Sequence, residues 1–278
     1  MGDRRAWAAR VSRVVVDAFL YNGEVDMLEL RVKTLSNYVD YFQPVVCSMT
    51  HQGVPSDLER ALAMPAAVAL DPTFTWQMRT PHIVRPARGY PVGERSIAGS
   101  RWYQMIERQH RAGIWYACNA LDLSATDLVM VSDVDEIPNP DVIPRLMAGG
   151  EVKVFLQRMH SDKLNLMHPH QPWPGTTISN WRDCNPHDAR QTRAVMCEEG
   201  RTIPNGGWHL SWFGTDEERE AKLHDISHGE LVGAYDPKLG REHGIHSNGE
   251  VLLHIDPADY DWPKPMTDDS FDIPKEWL

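Results

Sequence analysis

Leu128-Val129-Met130-Val131-Ser132-Asp133-Val134-Asp135-Glu136-Ile137-Pro138 is the stretch on which the fold turns. Its apolar start suits a strand covered on both faces, and such strands belong to parallel sheets with crossover helices. Three carboxylates, Asp133, Asp135 and Glu136, arrive where the apolar run stops. In open α/β sheets the ligand lies beyond the carboxyl ends of the strands. Asp133 and Asp135 are two apart, so in extended chain they project to one side, roughly 6–7 Å from each other. Two such carboxylates repel unless a cation joins them. A divalent metal, Mg²⁺ or Mn²⁺, fits, because these ions take carboxylate oxygens together with substrate phosphates. The expected division of labour has Asp135 ligating the metal, the metal bridging a diphosphate, and Asp133 touching the metal or a ribose.

Outward from this strand the elements alternate. Arg13 to Phe19 reads as a buried first strand, and Tyr21-Asn22-Gly23 as a turn. From Glu24 the period becomes helical, with Val25, Leu28, Val32 and Leu35 on one face. Tyr41 to Met49 reads as a second strand, so the chain opens β-α-β and implies a parallel sheet. Six prolines between 55 and 91 restrict the next part to short helices, loops and a strand near His82 to Val84. Trp102, Met105, Ile106, Gln109 and Gly113 mark a helix ahead of the acid-rich strand. Beyond it, Val152 to Gln157 reads as a strand and His168 to Pro174 as a loop. Trp208, Leu210 and Trp212 alternate with His209, Ser211 and Phe213, which predicts a strand with His209 facing away from both tryptophans. Thr215-x-x-Glu218 is a capping box that opens a helix running to about Ile226.

Composition narrows the class. The 278 residues are 42% hydrophobic and 24% charged, as in ordinary globular proteins. A net charge of -11 repels phosphate backbones, so no nucleic-acid partner is expected. The four cysteines form no C-x-x-C pair and read as free thiols in a reducing, cytoplasmic setting. No stretch approaches the roughly 20 apolar residues of a membrane span, and Val14 to Val16 is too short for a signal-peptide core. A soluble protein is expected. The acidic cluster also suits a metal-dependent phosphohydrolase of the haloacid-dehalogenase type, although Glu136-Ile137-Pro138 replaces the small-residue loop those enzymes carry. Ten tryptophans leave a further alternative, a sugar-binding protein without turnover. His224 and His228 have zinc-like i, i+4 spacing but lack the H-E-x-x-H glutamate.

Three blocks together resemble glycosyltransferase family 17, the β-1,4-mannosyl-glycoprotein β-1,4-N-acetylglucosaminyltransferase family. They are Asp17-Ala18-Phe19-Leu20-Tyr21-Asn22-Gly23-Glu24-Val25-Asp26-Met27-Leu28-Glu29-Leu30-Arg31, then Ser132-Asp133-Val134-Asp135-Glu136-Ile137-Pro138, then Gly206-Gly207-Trp208-His209-Leu210-Ser211-Trp212-Phe213 with Lys222 and His228-Gly229-Glu230. The resemblance implies an α/β, GT-A-type Rossmann-like fold with a mostly parallel central sheet and a D-x-D metal site. It implies a single domain over 1–278, with about 10–145 as the nucleotide-sugar half and about 146–278 as the acceptor-side half and tail. It further implies inverting transfer of a sugar, N-acetylglucosamine from UDP-N-acetylglucosamine, to a hydroxyl of a glycan or another acceptor.

Roles follow from it. The first strand and its loop hold the nucleoside in GT-A enzymes, which nominates Asp17, Phe19, Glu24 and Arg31. Glu24 and Arg31 share a helix face, so they are either donor contacts or a structural ion pair. Glu107 and Arg111 form an i, i+4 pair, and the planar fork of Arg111 suits a diphosphate. Asp133 and Trp208 complete the donor set. His209 is either a third metal ligand beside Asp133 and Asp135 or a hydrogen-bonded structural histidine. An inverting transfer needs one general base. Glu230 is favoured because the resemblance covers it, with Glu136, Asp225 and Asp216 as the other carboxylates.

Overall fold

The computed structural model describes residues 13–86, 99–143, 151–185, 189–225, 236 and 238–278. Its centre is the expected β-α-β unit. Strand β1 (Val15–Leu20) is buried at all six positions, helix α1 (Val25–Leu35) follows, and β2 (Tyr41–Cys47) runs parallel to β1. Strand β3 (His82–Val84) extends the sheet beyond β2, and β4 (Leu128–Asp133) adds on the other side of β1, all parallel. Alternation along β1 sorts its side chains. Val15 and Phe19 join the core under α1, whereas Val16 and Ala18 join the core under helix α2 (Gly99–Asn119). Gly113 lets α2 lie close, since a Cβ there would come 2.2 Å from Val84 Cγ2 and 2.8 Å from Val45 Cγ1.

Past β4 the sheet is no longer purely parallel. The short strand β5 (Glu136–Pro138) leads on, and β6 (Lys153–Ser161) and β7 (Leu166–Met167) follow. Strand β8 (Trp173–Asn180) lies antiparallel between β4 and β6. The sequence reading ran a loop to Pro174, because Pro172, Pro174 and Gly175 hide the start of β8. Helix α3 (Ala189–Glu198) and strand β9 (Thr202–Ile203) come next. Strand β10 (Gly207–Ser211) pairs parallel with the second half of β6 and antiparallel with β5. Helix α4 (Asp216–Asp225) starts at the expected box, with Thr215 N donating to Glu218 Oε2 at 2.7 Å and Glu218 N to Thr215 Oγ1 at 3.2 Å. The last strand, β11 (Leu253–His254), pairs with β7. The result is a mixed α/β fold on a curled, open sheet, parallel from β3 through β2 and β1 to β4 as expected and with antiparallel pairs beyond β4. Among the described residues, no helix is long and apolar enough to cross a membrane.

Register places the site. Leu20 is paired with Val45 on one side and Asp133 on the other, so β2, β1 and β4 end together.

Candidate functional site

Over those ends opens a cavity of about 630 Å³. Its floor is built around Arg31. Arg31 Nε and Nη2 donate to the two Asp17 oxygens, each at 2.7 Å, and both side chains are 0% exposed. Nη1 reaches the carbonyls of Asp133, Val134 and Glu136 at 2.9–3.1 Å, and Nη2 also reaches Ser132 Oγ at 2.6 Å. The guanidinium stands 4.8 Å from the Phe19 ring centroid. A buried charge is tolerable only when paired and saturated with hydrogen bonds, and here both conditions hold. Asp17, Phe19 and Arg31, nominated for the donor, therefore lie beneath the cavity and hold the chain that follows β4. The partner of Arg31 is Asp17, from β1, and not Glu24.

The two aspartates of the D-x-D both line the cavity, each beside a basic side chain. Arg111 Nη1 lies 2.9 Å from Asp133 Oδ1, and Arg111 Nη2 donates to Asp133 Oδ2 at 3.1 Å. Glu107, one helical turn earlier, accepts from Arg111 Nε at 3.3 Å. Burial alone would raise the Asp133 pKa, but the Arg111 and Arg193 guanidiniums hold it well below the usual carboxylate range. Asp135 Oδ2 accepts from Lys222 Nζ, on α4, at 2.9 Å. Burial opposes the Lys222 charge, yet Asp135 and Glu24 keep its pKa above the ordinary lysine range. On its other side Asp135 Oδ1 lies 3.7 Å from His209 Nε2, and among the described residues His209 Nδ1 is buried with no hydrogen-bond partner. Glu24 also lines the cavity, accepting from Asn22 N at 2.9 Å. Burial raises its pKa, Lys222 opposes the rise, and Asp135 adds to it.

Glu136 departs from expectation. It is 1% exposed, and Arg193 holds its two oxygens at 2.8 and 2.6 Å. Trp173 Nε1 and Asp133 N add bonds of 2.9 and 3.1 Å. With those donors in place the carboxylate has no position from which to take a substrate proton, so Glu136 is an anchor and not a base. Trp208 also departs. It is 6% exposed and sends Nε1 to the Asp261 carbonyl at 2.7 Å, inside the core. Trp212 takes its place at the cavity, on the same side as His209, because a left-handed backbone at Trp212 (φ 60°) breaks the strand alternation. Glu230 and His228 lie outside the described residues.

Several lining or supporting residues carried no signal in the sequence, Asp225 excepted, which was among the carboxylates considered for the base. Trp173 hides behind prolines, and Arg193 sits on a helix remote in sequence from Glu136. His51, Asp225, His168 and His246 line the cavity from loops or helix ends. Asp225 is held by Arg60 and by Asn22 Nδ2, a link visible only once α4 meets the loop after β1.

A divalent cation can be tested against this geometry. Among the described residues, no group of three or more His, Cys, Asp or Glu side chains could hold a metal by itself. The 3.7 Å between Asp135 Oδ1 and His209 Nε2 nevertheless suits two ligands of one ion, each about 2.1 Å from it. Mg²⁺ is commonly bound by only one or two carboxylates, with water and substrate phosphates completing the set. The donor set fits on those terms.

The profile of glycosyltransferase family 17 matches residues 3–264. No curated protein matches the chain. Among solved structures, one described as "Crystal Structure of a Mycobacterial Protein" is 15% identical, with a TM-score of 0.39 over 94% of this chain and 87% of that one. A likeness that loose carries no argument about function.

Proposed function

The chain belongs to glycosyltransferase family 17, and from that premise we propose an inverting, GT-A-type enzyme that transfers N-acetylglucosamine from UDP-N-acetylglucosamine to a hydroxyl of a glycan or similar acceptor. The observation that carries the site assignment is the pair Asp133 and Asp135 at the carboxyl end of β4, both lining one cavity. Membership of the family sets aside the phosphohydrolase and the non-catalytic sugar-binding readings. Free cysteines, two of them buried, are compatible with a cytoplasmic setting.

In this reading Asp135 and His209 hold a divalent cation, Mn²⁺ or Mg²⁺. When bound, the cation supplies charge neutralisation for the departing diphosphate. Arg111, held by Asp133 and Glu107, adds its positive charge at the same edge and attracts the diphosphate. Asp133 accepts from the ribose. Lys222, next to Asp135, adds a fixed positive charge where negative charge develops. Trp173 and Trp212 offer indole faces to the sugar rings. The base that takes the acceptor proton is Glu230, as the resemblance implies, with Glu24 the second choice because it is a cavity carboxylate with a raised pKa.

The test is sugar transfer or donor hydrolysis across a panel of nucleotide sugars with Mn²⁺. Asp135→Ala should lose at least ~10²-fold in rate, as when one electrostatic stabiliser is removed. EDTA should do the same to the unaltered enzyme. Undiminished turnover in both cases would remove the cation from the reading. Glu230→Gln should abolish transfer with donor affinity retained; if Glu24→Gln does so instead, the base is reassigned.

A further inference from the structure

At the β2 side of the cavity are two histidines that the transfer chemistry does not use. His110 Nε2, on α2, lies 2.9 Å from the Val45 carbonyl. Its Nδ1 lies 3.3 Å from Nε2 of His51, which lines the cavity. A carbonyl only accepts, so His110 Nε2 carries the proton and His110 Nδ1 is a lone pair. His51 Nε2 must then be the donor between the rings, which leaves His51 Nδ1 bare. The assignment holds while both rings are neutral. Burial, with His51 nearby, lowers the His110 pKa to about 3, and burial also lowers that of His51. Among the described residues His51 Nδ1 has no hydrogen-bond partner, and it is not a buried orphan. While both rings are neutral, His51 therefore brings an acceptor, Nδ1, to the lining of the cavity.

Its position decides what it meets. Val45 pairs with Leu20, and Leu20 with Asp133, so the His51–His110 relay hangs two strands from the D-x-D. Two strand spacings are about 10 Å. A nucleoside diphosphate with its phosphates at Arg111 and Asp135 extends its base over roughly that distance. We propose that His51 Nδ1 accepts the imide N–H of a uracil base and so selects uridine over cytidine nucleotides. The proposal rests on the nucleotide-sugar reading above. Uracil and cytosine have nearly the same shape, but at ring position 3 uracil offers N–H and cytosine a lone pair. Cytosine would set two lone pairs against each other, which loses the bond and adds repulsion.

The experiment measures calorimetric dissociation constants for UDP and CDP with Mn²⁺ present. The unaltered protein should bind UDP at least ~10-fold more tightly, the factor that about one hydrogen bond supplies. His51→Phe should bring the two nucleotides within about threefold. His51→Gln should narrow the gap by admitting CDP, because an amide can turn either its N–H or its C=O to the base. Equal affinities in the unaltered protein overturn the proposal and point to a ribose hydroxyl as the group met. A UDP preference that survives in both variants overturns it too. Binding of neither nucleotide overturns the nucleotide-sugar reading and this selection with it.

Discussion

Arg31 shows how a residue can matter to a site without touching the ligand. Its charge is fully buried, and its bonds go to Asp17, to Ser132 and to three carbonyls after β4. Removing one partner of a buried pair typically costs about 3–5 kcal/mol. Arg31→Met should therefore lower unfolding stability in urea by that order, and activity should fall with the folded fraction. A variant that is inactive yet as stable as the parent would return Arg31 to the donor. The sequence placed Asp17 and Arg31 among the important residues but could not say why. The bond between them depends on the side of β1 that α1 covers, and the helix-face argument offered Glu24 instead. Glu136 is the same lesson in reverse: a carboxylate in a motif reads as chemistry until Arg193 and Trp173, both distant in sequence, are seen holding it.

At the scale of elements, local signals were the most legible. The apolar runs gave β1, β2 and β4, the 3.6-residue period gave α1, and the capping box gave the start of α4. Helix α4 carries Lys222 to Asp135, so its cap also bears on the site. Thr215→Ala should cost about 1 kcal/mol, the usual worth of an N-cap, read as a lower thermal midpoint. Helix α2 makes a less intuitive prediction. Gly113→Ala improves helix propensity by up to about 1 kcal/mol, yet the new methyl would meet Val84 and Val45 on stiff strands. Overpacking of that kind costs about 1–3 kcal/mol, so the variant should be less stable; a gain in midpoint would show that α2 can lift. Strand β8 was illegible because its first residues are breakers, and its antiparallel pairing with β4 and β6 joins segments that no local pattern links.

For the whole molecule, buried histidines set the acid limit. His110 titrates at about 3 and His160 at about 4 in the folded protein, both lowered chiefly by burial. The unfolded chain takes up the same protons near 6.5. Between these values the unfolded state binds more protons, so stability is full above about pH 6.5 and falls as pH drops. Each histidine contributes about 1.4 kcal/mol per pH unit, so denaturant midpoints should decline steeply from pH 6 to 4, and His110→Asn should flatten that slope. A flat profile would mean that both rings charge in place. The overall architecture was readable as far as β4, because the strands up to it carry local apolar runs, although β4 returns to the far side of β1. Beyond it, β6 is shared among β8, β9 and β10, and no local pattern encodes such sharing. The turn after β4 is gripped through main-chain oxygens, which every amino acid supplies alike. Evolution, or a designer building a library, can thus rewrite the acids at 133 and 135 while the polypeptide keeps its path, and new chemistry at that edge comes without a new scaffold.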